Sequence, residues 1–133
     1  MEKLKENKNC YATPEQREVM LHMLTHPAVE QNFFLTGGTA LSVFYLNHRK
    51  SNDIDMFSIG SPDLSEIDFV LKRTWPKDYL MIRKSQDFLS VLIKDVKVEF
   101  IIDPLSITEK RPKILFENNH YLQLDTINNI VSN

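Results

Sequence analysis

The run Phe33-Phe34-Leu35-Thr36 passes directly into Gly37-Gly38, and from Thr39 to Asn47 apolar residues return at helical spacing as Ala40, Leu41, Val43, Phe44 and Leu46. A short apolar run ending at glycine reads as a buried strand, and the pattern after it as a helix. The chain is thereby restricted to folds that mix strands with helices. Glycines lack a Cβ, so backbone N–H groups can approach a bound group closely, and a helix N-terminus favours negative charge. Gly37, Gly38 and Thr39 therefore form a candidate phosphate site, with the Thr39 hydroxyl as a further donor.

Fourteen residues beyond Thr39 stands Asp53, within Asn52-Asp53-Ile54-Asp55-Met56-Phe57. Strand periodicity puts Asp53 and Asp55 on one face and Ile54 and Met56 on the other. Two carboxylates on one face repel each other unless a cation lies between them. Mg²⁺ takes hard oxygen ligands and lets substrate phosphates complete its shell. A two-metal phosphoryl or nucleotidyl transfer needs a third carboxylate nearby, to hold the catalytic metal and to assist removal of a proton from the attacking hydroxyl. In Val96-Lys97-Val98-Glu99-Phe100-Ile101-Ile102-Asp103, alternation puts Glu99 and Asp103 on one face. At roughly 3.3 Å per residue they lie about 13 Å apart, so only one can join the aspartates, and periodicity does not choose between them.

The remaining chain supplies the scaffold. Thr13-Pro14-Glu15-Gln16 reads as a capped helix start, with Val19, Met20, Met23 and Leu24 forming an apolar stripe that runs to about His26. A strand over Ile54–Phe57, a helix from Leu64 to Trp75 ended by Pro76, and strands at Tyr79–Arg83, Phe88–Ile93 and Val96–Ile102 follow, with Lys94-Asp95 as a turn. Further on, a strand at Ile114–Phe116 and a helix near Leu124–Val131 are expected. The fold class is α/β (α+β), with a small mixed or antiparallel sheet flanked by helices. At 133 residues, a single domain spanning 1–133 is expected.

Composition removes several classes of function. A net charge of −2 argues against a generally basic nucleic-acid surface, leaving local patches such as His48-Arg49-Lys50. Arg49 and Lys50 precede the aspartates and either neutralise a triphosphate or form an exposed salt-bridged loop; Arg49 is the candidate taken forward. No apolar run approaches the roughly 20 residues of a membrane span, and the Lys- and Asn-rich start has no apolar core of a signal peptide, so a cytoplasmic location is expected. Cys10, alone and near a terminus expected to fray, has no disulfide partner. His22 and His26 lie one helical turn apart but lack a third ligand, and read as an exposed helix face rather than a zinc site.

Leu35-Thr36-Gly37-Gly38-Thr39-Ala40-Leu41 followed by His48-Arg49-Lys50-Ser51-Asn52-Asp53-Ile54-Asp55-Met56-Phe57-Ser58 resembles the AbiEii-type toxin branch of the DNA polymerase β nucleotidyltransferase superfamily. The resemblance covers Phe33 to Ser58 and extends more loosely to the strand around Glu99. It implies a minimal nucleotidyltransferase fold in which Gly37, Gly38 and Thr39 hold the phosphates of an NTP and Asp53 and Asp55 hold two Mg²⁺ ions. Glu99, rather than Asp103, would hold the catalytic metal and the incoming hydroxyl; Glu stands where the family usually carries Asp. The implied reaction moves an NMP from an NTP to an acceptor hydroxyl, with tRNA or another RNA as acceptor and an antitoxin protein as partner. The family continues into a helical region with a Lys and an Asp-containing motif, which implies that a chain ending at Asn133 is a minimal or C-terminally truncated form. Two rival expectations are an antibiotic-modifying nucleotidyltransferase and a non-catalytic remnant that binds a nucleotide or a partner.

Overall fold

The structure, a computed structural model, describes residues 4–47, 50–103 and 111–132. Strands β1 (Phe33–Thr36), β2 (Asp53–Ser58), β3 (Tyr79–Lys84), β4 (Phe88–Ile93), β5 (Val96–Ile101), β6 (Lys113–Leu115) and β7 (Tyr121–Leu124) form one sheet in the order β3-β4-β5-β2-β1-β7-β6. It is mixed: β2 pairs with β5, and β1 with β7, in parallel, while the other neighbours are antiparallel. Helices α1 (Pro14–Met23), α2 (Pro27–Glu30), α3 (Gly37–Ala40), α4 (Leu64–Thr74) and α5 (Ile127–Ser132) complete the mixed α/β architecture.

Alternation decides which side of the sheet is core. Burial alternates along β2 and β5, with Ile54, Met56, Val98 and Phe100 fully enclosed and Asp53, Asp55, Lys97 and Glu99 on the other face. The enclosed face packs in one cluster with Val19, Met20 and Met23 of α1 and Ile67 and Leu71 of α4. Burying each of these large side chains contributes about 1.5–3 kcal/mol, so a one-residue slip of β2 would lose that contribution and drive two carboxylates into the core.

Several boundaries differ from the sequence reading. The first helix stops at Met23 instead of His26, because Pro27 excludes the helical region for the residue before it; His26 is extended, at φ −91° and ψ 121°. The helix expected over Thr39–Asn47 starts at Gly37, and after Ala40 it widens into a π-helical turn over Leu41–Leu46 that ends at left-handed Asn47. The helix expected near Leu124–Val131 gives way at its start to β7, which ends at Leu124, and α5 begins only at Ile127. Lys94 and Asp95 both have positive φ, the signature of the tight turn that joins β4 to β5. Cys10 is not frayed: it and Tyr11 are buried in the core, and Tyr11 bridges to Ser51. Trp75 closes the end of α4, edge-on to the His22 ring with centroids 4.9 Å apart. Among the described residues no helix is long and apolar enough to cross a membrane.

Candidate active site

Cross-strand register assembles the acidic centre. Asp55 of β2 lies opposite Thr36 of β1 on one side and opposite Glu99 of β5 on the other, while Asp53 lies opposite Lys97. Asp53, Asp55 and Glu99 thus share one sheet face in adjacent positions. Asp103 takes no part: it lies beyond the end of β5, where its N–H donates to Ser58 Oγ (2.9 Å) at the far end of β2. The choice that periodicity left open is made by the parallel pairing of β2 with β5.

The carboxylates of this cluster act on one another electrostatically. Burial, then the like charges of Glu99 and Asp53, push the Asp55 carboxyl up to about 6, against a smaller downward pull from Lys97. The Lys97 ammonium lies 3.8 Å from Glu99 Oε1. Among the described residues no three His, Cys, Asp or Glu side chains are gathered tightly enough to cage an ion. Mg²⁺ does not require such a cage, since it is bound through one or two carboxylates plus water and substrate phosphates, and the oxygen-only donor set fits it.

The glycine turn abuts this centre. Gly37 follows Thr36 directly and has φ +75°, in the region that side chains disfavour; a Cβ built there would lie 2.6 Å from Asp55 Oδ2. The turn and the carboxylate are in contact because β1 and β2 are adjacent. Gly38 and Thr39 continue into α3, whose first N–H groups have no partner one turn back. The Thr39 side chain is fully buried and turned inward: its hydroxyl donates to the Asp53 carbonyl, and Oγ1 lies 3.0 Å from Ser51 Oγ. In this geometry the Thr39 side chain pins the start of β2. Arg49, the expected phosphate-neutralising cation, lies outside the described residues.

Two supporting residues escaped the sequence reading. Gln16, visible there only as part of a helix cap, is buried. Its Oε1 accepts from Ala12 N–H (2.8 Å), and its Nε2 donates to Thr39 Oγ1 (3.2 Å) and to the Asp53 carbonyl (3.3 Å), tying α1 to α3 and to β2. Asp125, just after β7, is buried beside the glycine turn, where it accepts from the Thr36 hydroxyl (2.9 Å) and from Thr126 N–H (2.9 Å). Neither has a local sequence signal, since both contacts bridge segments far apart in the chain.

With this geometry in hand, comparison with known proteins is informative. Residues 18–117 match the family model described as nucleotidyl transferase AbiEii toxin, type IV toxin–antitoxin system. No curated protein matches the chain in sequence. Among solved structures, the fold is similar to a Helicobacter pylori protein ascribed to the nucleotidyltransferases, with TM-score 0.54, 15% identity, and 95% of this chain and 57% of that one covered. It is also similar to the JHP933 protein of Helicobacter pylori, with TM-score 0.55, 16% identity, and coverage of 96% and 56%. These likenesses are to the fold, and the chain spans a little over half the length of either protein.

Proposed function

The chain belongs to the AbiEii nucleotidyltransferase toxin family, and on that premise we propose that it transfers an NMP from an NTP to an acceptor hydroxyl. The observation that carries this reading is the register of Asp55 with Glu99, with Gly37 packed against the Asp55 carboxylate. A phosphate-binding turn in contact with paired carboxylates is what in-line displacement at phosphorus requires.

In this reading the N–H groups of Gly38 and Thr39, at the start of α3, cradle the triphosphate, and Gly37 keeps the space beside Asp55 clear for it. Asp53 and Asp55, with Glu99 beside them, would hold Mg²⁺ through one or two carboxylates, water and the phosphates, and the metal when bound would supply positive charge to the attacking and leaving oxygens. Glu99, on the edge of the cluster towards β4, accepts the proton of the incoming hydroxyl. The hydroxyl oxygen bonds to the α-phosphorus, the bond from that phosphorus to the bridging oxygen breaks, and pyrophosphate leaves. Gln16 and Thr39 hold the Asp53 backbone, so the first carboxylate meets the phosphates in one orientation. The finer reading takes RNA as the acceptor and an antitoxin protein as the partner, the latter supported by the toxin–antitoxin description of the family.

Incubation of the protein with each α-³²P-labelled NTP, Mg²⁺ and total cellular RNA tests this, with Asp53→Ala/Asp55→Ala in parallel. Label passing to RNA only with the unsubstituted protein is the expected result. Mg²⁺-dependent NTP binding with no transfer to RNA would overturn the RNA acceptor and favour a small hydroxylated acceptor or a binding-only role.

A further inference from the structure

The acidic centre carries a cation of its own. Lys97 stands directly opposite Asp53 on one side and Leu92 on the other, and Leu80 of the edge strand is paired beyond Leu92. Its neighbour across one strand is therefore anionic, and those across the other two are apolar. Glu99 follows two residues along the same face, with Oε1 3.8 Å from the Lys97 ammonium. Among the described residues, Lys97 is the only cation in an ion pair with Asp53, Asp55 or Glu99. It is not locked in that pair: the Lys97 side chain is 44% exposed, against 20% for Glu99, and a lysine carries its point charge on a flexible four-carbon stem.

A divalent ion on these carboxylates would share them with an ammonium of the same sign, and like charges so close oppose each other. The opposition is relieved once the ammonium has another anion to meet, and a triphosphate at the glycine turn brings several. Lys97 is level with Asp53, whose carbonyl is bonded to the Thr39 hydroxyl at the start of α3, so its ammonium and that turn flank the same carboxylate. Lysine binds phosphate as a point charge and needs no fixed geometry to do so. We propose that Lys97 couples metal binding at this centre to the nucleotide: its ammonium opposes a divalent ion that comes alone and pairs with the phosphates of an NTP that comes with one. The inference rests on the nucleotidyl-transfer reading and adds to it a residue that makes metal and nucleotide bind together rather than singly.

The test uses Mn²⁺, which accepts the oxygen ligands of Mg²⁺ and whose free ion is counted by electron paramagnetic resonance. Mn²⁺ is titrated alone into the wild type, Lys97→Met and Lys97→Arg, and ATP, GTP, CTP and UTP are each then titrated calorimetrically at saturating Mn²⁺. Lys97→Met is expected to bind Mn²⁺ alone about tenfold more tightly than the wild type and the preferred NTP about tenfold more weakly, the size of one charged contact removed in each case. Lys97→Arg, which keeps the charge, is expected to stay close to the wild type in both. The position is half exposed, so the variants should fold, and Lys97→Gln replaces Lys97→Met if that one does not. Unchanged affinity for lone Mn²⁺ or for NTP in Lys97→Met overturns the inference, as does Lys97→Arg behaving like Lys97→Met, which would point to side-chain shape instead of charge. With NTP binding by the wild type intact, either result leaves the transferase reading standing. A wild type that binds no NTP with Mn²⁺ present strikes that reading and this inference together.

Discussion

A Cβ at Gly37 would lie 2.6 Å from Asp55 Oδ2, so the glycine turn and the Asp55 carboxylate leave each other no spare room. Gly37→Ala should therefore displace the Asp55 carboxylate in addition to placing a side chain at φ +75°. Gly60 supplies the control: its φ is +76°, yet nothing lies within 4 Å of the Cβ position. Both substitutions are expected to cost about 1 kcal/mol from left-handed strain. Only Gly37→Ala should also weaken Mg²⁺-dependent NTP binding, by about tenfold or more, since misplaced groups at a reacting centre lose orientation steeply. Thermal unfolding and NTP titration of the two variants separate the effects; equal NTP affinity would show that Asp55 yields without consequence.

Asp55 makes stability without metal depend on pH in a predictable direction. Its carboxyl is raised to about 6 by burial and by Glu99 and Asp53, so the folded protein binds this proton more tightly than the unfolded chain does. The contribution is fully present at acid pH and is lost as pH rises from the ordinary carboxylate range through about 6. With EDTA present, Asp55→Asn should melt above the wild type at pH 8, with the gap closing towards pH 4. Adding Mg²⁺ at pH 8 should raise the wild type and leave the variant little changed. A gap that widens on acidification would contradict this electrostatic account.

Thr39 was expected to give its hydroxyl to phosphate, and the structure turns that hydroxyl onto the Asp53 carbonyl. The two roles predict different phenotypes. If the hydroxyl is structural, Thr39→Val should lose about 1–3 kcal/mol in urea unfolding, because the part-buried Asp53 carbonyl loses this donor and keeps the longer Gln16 contact. Thr39→Ser should retain most of that stability, and Gln16→Ala should resemble Thr39→Val. Unchanged stability combined with a clear loss of NTP affinity in Thr39→Val would return the hydroxyl to the phosphate.

The parts of the site that could be read from the sequence are those written locally. The alternation of Asp53 and Asp55 with Ile54 and Met56 and the cap at Thr13 each lie within a few residues and take their expected local form, and Gly37-Gly38 stand between strand and helix as expected, although they already form the first turn of α3. What escaped depends on pairing between distant segments. Glu99 could be told from Asp103 only once β5 was set parallel to β2, and Gln16 reaches Asp53 across 37 positions. Strand β7 is four residues long and sits between its hairpin partner β6 and β1, and the pairing with β1 joins segments nearly ninety positions apart. The π-helical turn follows an apolar pattern that an ordinary helix would satisfy equally well.

Glu99 carries the last test, because its two roles in the proposed reaction can be separated. Glu99→Gln keeps the shape of the side chain and an oxygen that could still meet a cation, but it cannot take a proton from an attacking hydroxyl. Transfer should fall about 10²-fold or more, the usual contribution of a positioned base, while Mg²⁺-dependent NTP binding through Asp53 and Asp55 changes little. Losing the neighbouring charge should also lower the Asp55 carboxyl, since Glu99 is the larger of the two like charges acting on it. A carbon-detected NMR titration of Asp55 in Glu99→Gln reads that shift independently of catalysis. Glu99→Asp, one methylene shorter, should retain part of the activity if the carboxylate itself is what matters. If Glu99→Gln transfers as fast as the wild type while Asp55 shifts as expected, the two carboxylates are coupled but the base lies elsewhere.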